Sequence, residues 1–249
     1  YQAGDRLDTR YAAKEIMREI SAPTEGSLMK MKRFSRYIAG AKRARNWYKF
    51  KAPTKTTTPY VDADHAGCPR TRKSTTGVIV MRGSHVISII CVTQALVALS
   101  SAESELYAIV RGTVESMYVA ALLRFYGKET EQIVLCDNSA AVAAAARRGA
   151  GKRLKHIEVH NYHIQRVVDS GVLAVRKVST DKNLADIITK HLKAPLFQKL
   201  LKLLGVEIIN KFLVPVSAKT ETTKMSVELV KEESMQQQLM IAVSALEDC

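Results

Sequence analysis

Four carboxylates in this chain of 249 residues stand at positions where metal-dependent hydrolysis would need them. Two-metal phosphodiester chemistry requires several carboxylates from separate elements, because Mg²⁺ prefers oxygen ligands and keeps room for water and a substrate phosphate. A charge inside a buried element is also unfavourable unless it is paired or binds a cation. The acids in question are Asp62, Glu105, Asp137 and Asp186.

Two of these acids belong to predicted strands. Asp62 lies within the β-type run Tyr60–Ala63, and Asp137 ends the apolar run Ile133–Cys136. The carboxyl end of a strand is where α/β folds place their ligands. Each acid also has a plain structural explanation, since Asp62 would suit a turn at a strand end and Asp137 a turn that caps the next helix.

The other two acids belong to predicted helices. Glu105 lies in the first turns of a long helical pattern, on the same side as the apolar Ile109. Asp186 follows Asn183 by three residues, so an Asn183 N-cap would place it where the helix dipole favours an ionised carboxylate. Taken singly, both are also ordinary acids of a first helical turn. The order of the four acids favours a shared site: strand Asp, helix Glu, strand-end Asp, helix-start Asp.

The elements around these acids follow the pattern of a mixed α/β fold. The predicted strands are 60–63, 77–81, 85–92, 132–136 and 172–178. The predicted helices are 11–20, 27–39, 101–126, 139–148, 154–169, 183–192 and 196–204. This order begins with an antiparallel meander and continues with crossover helices.

Four segments follow from this pattern. Residues 1–50 form a small helical segment, and the Thr- and Lys-rich stretch 51–59 is predicted as a linker. Residues 60–205 form the α/β domain. The tail, 206–249, contains a second linker and an amphipathic helical pattern.

Charge favours a nucleic-acid partner for most of the chain. The net charge is +14 overall, with +7 in residues 1–50, +10 in 51–204 and −3 in 205–249. Lys and Arg displace condensed counterions from phosphates, so the first two parts are typical of a polyanion binder. A generic basic surface is the alternative explanation.

Composition excludes several other classes. At 47% hydrophobic residues the chain can bury a core, which excludes wholesale disorder. The four cysteines form no C-x-x-C pair, so neither a zinc site nor a disulfide framework is indicated. No apolar run approaches the roughly 18–20 residues of a membrane helix, and no signal peptide is visible. We therefore expect an intracellular protein, cytoplasmic (particle-associated) or nuclear, without a membrane partner and not secreted.

Residues 60–205 resemble the ribonuclease H domain of copia-type retrotransposon Pol polyproteins. The resemblance depends on six ordered motifs: Tyr60–Cys68, Thr71–Gly77, Ser100–Ala108, Leu135–Asn138, Lys155–Ile157 and Asn183–Lys190. Residues 1–50 resemble the C-terminal end of the reverse transcriptase that precedes this domain, through Asp5–Asp8, Ala13–Glu15 and Lys32–Ile38. The paired Asp motif of the polymerase active site is absent, so polymerase activity is not expected.

The resemblance implies both a fold and an activity. The fold would be a ribonuclease H-like mixed five-stranded sheet, with three antiparallel strands followed by parallel ones and flanking helices. The activity would be hydrolysis of the RNA strand of an RNA–DNA hybrid during reverse transcription, giving a 5′ phosphate and a 3′ hydroxyl. The family's four acids fall on Asp62, Glu105, Asp137 and Asp186, which would bind two Mg²⁺ ions, or Mn²⁺. Their neighbours Asp64 and Glu103 remain open as supporting residues.

Several basic residues are predicted to contact the nucleic acid. Arg70, Arg72 and Lys73 stand beside threonines in one motif and would grip backbone phosphates or 2′-hydroxyls. Lys155 and His156 belong to a second basic stretch with the same predicted role. An exposed charged surface explains the first group equally well.

Two alternatives to an active ribonuclease stay open. A degenerate transposon relic would keep the fold and bind nucleic acid without cutting it. Another nuclease or an integrase on the same fold would cleave or join DNA, although integrases use a different carboxylate spacing. The loop before the last predicted acid, Ser179–Lys182, also lacks the His that many cellular and retroviral ribonucleases H carry there.

Overall fold

A mixed five-stranded sheet forms the centre of the protein. The structure, a computed structural model, describes residues 6–147 and 162–209. Within these ranges the strands are β1 (Arg43–Asn46), β2 (Thr56–Ala63), β3 (Thr75–Arg82), β4 (His85–Thr93), β5 (Glu131–Cys136), β6 (Ala174–Lys177) and β7 (Val206–Ile209). The α-helices are α1 (Arg10–Met17), α2 (Glu25–Gly40), α3 (Ser101–Phe125), α4 (Ser139–Ala146), α5 (Tyr162–Asp169) and α6 (Ala194–Leu203). Short 3₁₀ helices occupy Leu7–Thr9, Thr180–Lys182 and Leu184–Ile188.

The order of strands across the large sheet is β4-β3-β2-β5-β6. Strands β2, β3 and β4 form an antiparallel meander, whereas β5 pairs parallel with β2, and β6 pairs parallel with β5. This topology confirms the expected ribonuclease H-like fold, and a helical segment precedes it. The carboxyl ends of β2 and β5 lie side by side, since Val61 is in register with Cys136.

Helix α3 covers one face of this sheet, and the sequence defines both of its ends. The Ser100 hydroxyl accepts a hydrogen bond from the Glu103 N–H at 3.2 Å, which caps the start of the helix. Gly127 follows the last turn with a φ of +66°, a conformation that glycine adopts without strain. The core on this face includes Val61, Val78, Leu106, Ile109 and Val134.

The C-terminal segment covers the opposite face of β2, β3 and β4. Strand side chains alternate between faces, so Val78 and Val80 pack under α3 while Ile79 and Met81 point the other way. The second core contains Ile79, Met81, Leu184, Ile188 and Leu200, together with Leu7 from the N-terminal helical segment. Burial of such side chains contributes roughly 1.5–3 kcal/mol each. The sheet is therefore a buried layer between two cores.

Strand β2 begins earlier than the sequence pattern predicts. It starts at Thr56, inside the stretch 51–59 that composition marks as a linker. Thr57 is fully buried, and its hydroxyl lies 2.8 Å from the hydroxyl of Thr130. The prediction is wrong here because β-branched Thr suits an extended, half-buried backbone as well as it suits a polar linker.

A separate pair of strands joins segments that the sequence assigns to different parts of the chain. Strands β1 and β7 are antiparallel, with Asn46 opposite Val206. The Trp47 indole N–H donates to Glu207 at 2.8 Å, across 160 positions of sequence. The predicted segments 1–50 and 206–249 are therefore joined by a strand pair, which the sequence does not predict because pairing over this distance leaves no local signal.

The segment after Asn183 is a short 3₁₀ helix and not the longer helix predicted over 183–192. Its bonds run from the Asp186 N–H to the Asn183 carbonyl at 3.3 Å and from the Thr189 N–H to the Asp186 carbonyl at 3.4 Å. Asn183 is the N-cap that the sequence predicts, since its side chain accepts from the Ala185 N–H at 3.2 Å. Runs of this tighter helix are short, so it ends at Ile188.

Two predicted features lie outside the described residues. The first is the N-terminal half of the predicted helix 154–169, which includes Lys155 and His156. Helix α5 is its described part, from Tyr162. The second is the amphipathic pattern of the tail, beyond residue 209.

Helix α3 is, within the described ranges, the one helix long and apolar enough to cross a membrane by length and composition. Its position in the fold is that of a core helix. Leu106 and Ile109 are buried in the core under the sheet, and a series of polar side chains, Ser104, Thr113 and Ser116, is buried with them.

The close approach of α3 to β2 depends on Gly112. A Cβ atom at this position would lie 2.5 Å from Cγ1 of Val61, which is fully buried. We therefore expect Gly112→Ala to destabilise the protein by about 1–3 kcal/mol, because neither backbone can move apart without disturbing the core. Urea denaturation would measure the loss. Gly40→Ala is the matched control, since nothing lies within 4 Å of that Cβ, and an equal effect of both variants would contradict the packing argument.

Candidate metal centre

The four predicted acids converge at the adjoining ends of β2 and β5. Ligand atoms of Asp62, Asp137 and Asp186 all lie within 4.8 Å of one another. A second group with the same spacing consists of Glu105, Cys136 and Asp137. Asp137 belongs to both groups, so the two form one continuous cluster. Strands, a helix and a 3₁₀ helix each contribute to it.

Asp62 is fixed by the elements around β2. Its carboxylate accepts a hydrogen bond from the Thr189 hydroxyl, and the Asn183 amide donates to the neighbouring Val61 carbonyl at 2.9 Å. Gly77 lies opposite Asp62 in β3, where a Cβ atom would be only 2.5 Å from Cγ2 of Thr189. Burial raises the pKa of Asp62, against the opposing attraction of the Lys190 ammonium. The side chain is therefore a buried acid held in one orientation.

Glu105 enters the cluster from the first turns of α3 and is almost fully buried. The Cys136 thiol donates to its carboxylate at a Sγ–Oε2 distance of 3.6 Å. Burial, followed by repulsion from Asp62 and Asp137, raises the pKa of Glu105 to about 9. Glu105 thus needs either a proton or a cation near neutral pH.

Asp186 stands on the 3₁₀ helix that Asn183 caps. Burial and the charge of Asp62 raise the pKa of Asp186 to about 7. The Lys190 ammonium lies 2.9 Å from Oδ1 of Asp186 and 3.7 Å from Oδ2 of Asp62, which lowers the pKa of both acids. The Lys190 ammonium only partly compensates the negative charge of the cluster, since the pKa values of Asp62 and Asp186 both remain raised.

The two neighbouring acids left open by the sequence have other contacts. Glu103 accepts from the Leu99 N–H and from the Tyr107 hydroxyl, each at 2.8 Å, and so closes the start of α3. Asp64 accepts from the Thr75 N–H beyond the end of β2. Among the described residues neither belongs to the two groups of potential ligands.

Three participants were not predicted as site residues. Cys136, Thr189 and Lys190 all lie within the motifs that carry the family resemblance, yet none is an acid. Strand alternation in β5 would have placed Cys136 on the same inward face as Val134. The i, i+4 spacing from Asp186 was the available signal for Lys190.

The structure describes only some of the residues that are predicted to contact the nucleic acid. Arg70 and Arg72 are exposed in the loop that follows β2, and Lys73 is half-buried. This loop starts at the strand end that carries Asp62. Lys155 and His156 lie outside the described residues, so their role stays a prediction.

The donor set suits a hard divalent cation. Carboxylate oxygens are the ligands that Mg²⁺ and Mn²⁺ prefer. Asp62, Glu105 and Asp186 are buried with raised pKa values, which is the electrostatic state that a bound cation would relieve. The residues present therefore fit the metal that the resemblance implies.

Strand order and site together define the class of the protein as a ribonuclease H-like fold with an acidic cluster at the carboxyl ends of its central strands. No protein-family model matches the chain. Its relatives are polyproteins: it is 35% identical over 208 residues to the retrovirus-related Pol polyprotein from transposon RE1 of Arabidopsis thaliana, and 34% identical to that from transposon RE2. Each match covers 83% of this chain. The chain is thus homologous to a segment of retrovirus-related Pol polyproteins from transposons.

The chain spans 14% of the length of these two polyproteins. Among solved structures, LC11-RNase H1, isolated from compost, is 16% identical with a TM-score of 0.43. That match covers 59% of this chain and 99% of the solved one. The strand order and directions described above, and not this superposition, define the fold.

The raised pKa of Glu105 predicts how metal-free stability depends on pH. The ordinary value is 4.5 and the folded value about 9, so the folded state keeps a proton that the unfolded chain has lost. The contribution of the protonated Glu105 to the free energy of unfolding is therefore complete below about pH 4.5 and is lost as the pH rises toward 9. Glu105→Gln cannot ionise, so we expect its free energy of unfolding at about pH 8 to exceed that of the wild type by up to about 4–5 kcal/mol, because each pH unit above 4.5 costs the wild type about 1.4 kcal/mol.

Urea denaturation with a chelator present, repeated from about pH 5 to 9, would measure this difference. Glu131→Gln is the control, because Glu131 is exposed at the start of β5. A wild-type stability that stays level over this range would contradict the expectation.

Proposed function

We propose that this chain contains an endonuclease that hydrolyses the RNA strand of RNA–DNA hybrids with two divalent ions, Mg²⁺ or Mn²⁺. One observation carries the proposal: acids from β2, from α3, from the end of β5 and from the 3₁₀ helix form one cluster through the shared Asp137. They are Asp62, Glu105, Asp137 and Asp186. Homology to Pol polyproteins supports the substrate, because reverse transcription produces such hybrids.

The two overlapping groups of potential ligands would provide two adjacent cation positions. Asp62, Asp137 and Asp186 would hold one ion, and Glu105 with Asp137 the other. Two ions held side by side would activate a water molecule and would stabilise the leaving 3′ oxygen. The buried surroundings of Asp62 and Glu105 strengthen these charge interactions, and the Thr189 hydroxyl keeps the Asp62 carboxylate in place.

The loop after β2 supplies basic residues for the substrate backbone. Arg70 and Arg72 are exposed there and would contact phosphates of the hybrid next to the acids. Phosphate contacts position a nucleic acid without reading its sequence, which suits an enzyme that removes RNA of any sequence. The overall charge of +14 is consistent with this polyanionic partner.

Asp137 is the residue whose loss should affect both ion positions. We expect Asp137→Asn to reduce divalent-dependent cleavage of a hybrid by on the order of 10³-fold or more, because each position loses a charged ligand. A labelled RNA strand annealed to DNA would report cleavage, and circular dichroism would report folding. Products should carry a 5′ phosphate and a 3′ hydroxyl.

Asp181→Asn is the matched control, since Asp181 is exposed and pairs with Lys199 at 3.3 Å. Undiminished cleavage by folded Asp137→Asn protein would reject the mechanism. Duplex RNA and duplex DNA should resist cleavage. Binding of the hybrid by wild type without any cleavage would instead indicate an inactive relic.

The basic loop makes a separate prediction. Arg70→Ala combined with Arg72→Ala should raise KM and flatten the salt dependence of hybrid binding by about 0.9 per lost phosphate contact, with kcat little changed. Fluorescence anisotropy at several salt concentrations would measure the slope. Lys128→Ala is the control, because Lys128 lies just before β5, away from the ends that carry the acids. Equal slopes for wild type and the double variant would show that the loop does not contact phosphate.

A further inference from the structure

Lys190 makes contacts that a divalent cation would make. Its ammonium lies 2.9 Å from Asp186 Oδ1 and 3.7 Å from Asp62 Oδ2. Both carboxylates are almost fully buried, with side chains 3% and 2% exposed. The positive charge therefore stands between two of the three acids of one ligand group.

The two groups of potential ligands differ in the charge of the side chain that contacts their acids. The group of Asp62, Asp137 and Asp186 includes both acids that pair with Lys190. In the group of Glu105, Cys136 and Asp137, the Glu105 carboxylate accepts from the neutral Cys136 thiol and is also hydrogen-bonded by the Ala63 backbone. A cation entering the first group must replace an existing ion pair, whereas one entering the second meets neutral hydrogen-bond donors.

The Lys190 side chain has space to leave the acids. It is 40% exposed and lines a cleft of about 510 Å³ between α1, α2 and the segment from Ile187 to Phe197. On withdrawal the ammonium would stay hydrated, because a long flexible side chain carries it into solvent, and the cost would be the lost attraction to Asp62 and Asp186. The ion pair is thus reversible in a way that the buried carboxylates are not.

We propose that Lys190 is a built-in counter-ion that occupies the place of a divalent cation between Asp62 and Asp186 and leaves when the cation binds. Lys190 then has two effects. It stabilises the metal-free protein by neutralising buried charge, and it weakens cation binding at this position by direct competition. The inference depends on the proposed cation-binding role of the four acids.

Calorimetric titration with Mn²⁺, without nucleic acid, tests this competition. Lys190→Met should bind Mn²⁺ at least about tenfold more tightly than wild type, because one unit charge about 4 Å from the acids is removed. The metal-free variant should also melt at a lower temperature, and Mn²⁺ should raise its melting temperature more than that of wild type. Lys193→Met is the matched control: it removes the same charge from an exposed position three residues away and should bind like wild type.

Two more variants separate charge from shape. Lys190→Arg keeps the charge and should bind Mn²⁺ with nearly wild-type affinity. Lys190→Gln loses the charge and should bind Mn²⁺ as tightly as Lys190→Met. If Lys190→Met does not fold, Lys190→Gln takes its place in the comparison. Equal affinities across wild type, Lys190→Met and Lys190→Gln would overturn the counter-ion role alone. If no variant binds Mn²⁺, the proposed metal site fails, and the counter-ion role fails with it.

Discussion

Electrostatic repulsion among buried carboxylates is the constraint on which the rest of this structure depends. Asp62, Glu105 and Asp186 are removed from water and brought close together, and burial raises the pKa of each. Such a cluster is unfavourable without protons or cations. The fold maintains it because its acids are carried by elements whose apolar side chains are buried in two cores on opposite faces of the sheet.

A small residue and several polar side chains then hold the carboxylates of the cluster in position. Gly77 leaves room for Thr189, whose hydroxyl reaches Asp62 across the end of the sheet. The Asn183 side chain both caps the 3₁₀ helix under Asp186 and donates to the carbonyl beside Asp62. Two acids separated by more than a hundred residues are thereby linked through a few hydrogen bonds, which restrict how far their carboxylates can move apart.

The sequence predicted the large sheet and the four acids because their signals are local. Apolar runs mark β3 and β5, and the ordered motifs place one acid in each of four elements. The β1–β7 pair and the early start of β2 were missed, since Arg43–Asn46 has no apolar alternation and a run of threonines suits either a linker or a strand. Lys190 was missed because only acids were considered as ligands, although its i, i+4 spacing from Asp186 was visible in the sequence.

The wide sequence separation of the acids has a consequence for protein synthesis. A ribosome releases Asp62, Glu105 and Asp137 well before Asp186 and the apolar side chains around it, which complete the second core. The nascent chain therefore stays without a complete acidic cluster until Asp186 has emerged, and contacts between such distant segments form slowly. The cluster is therefore among the last features of this fold to be completed during synthesis.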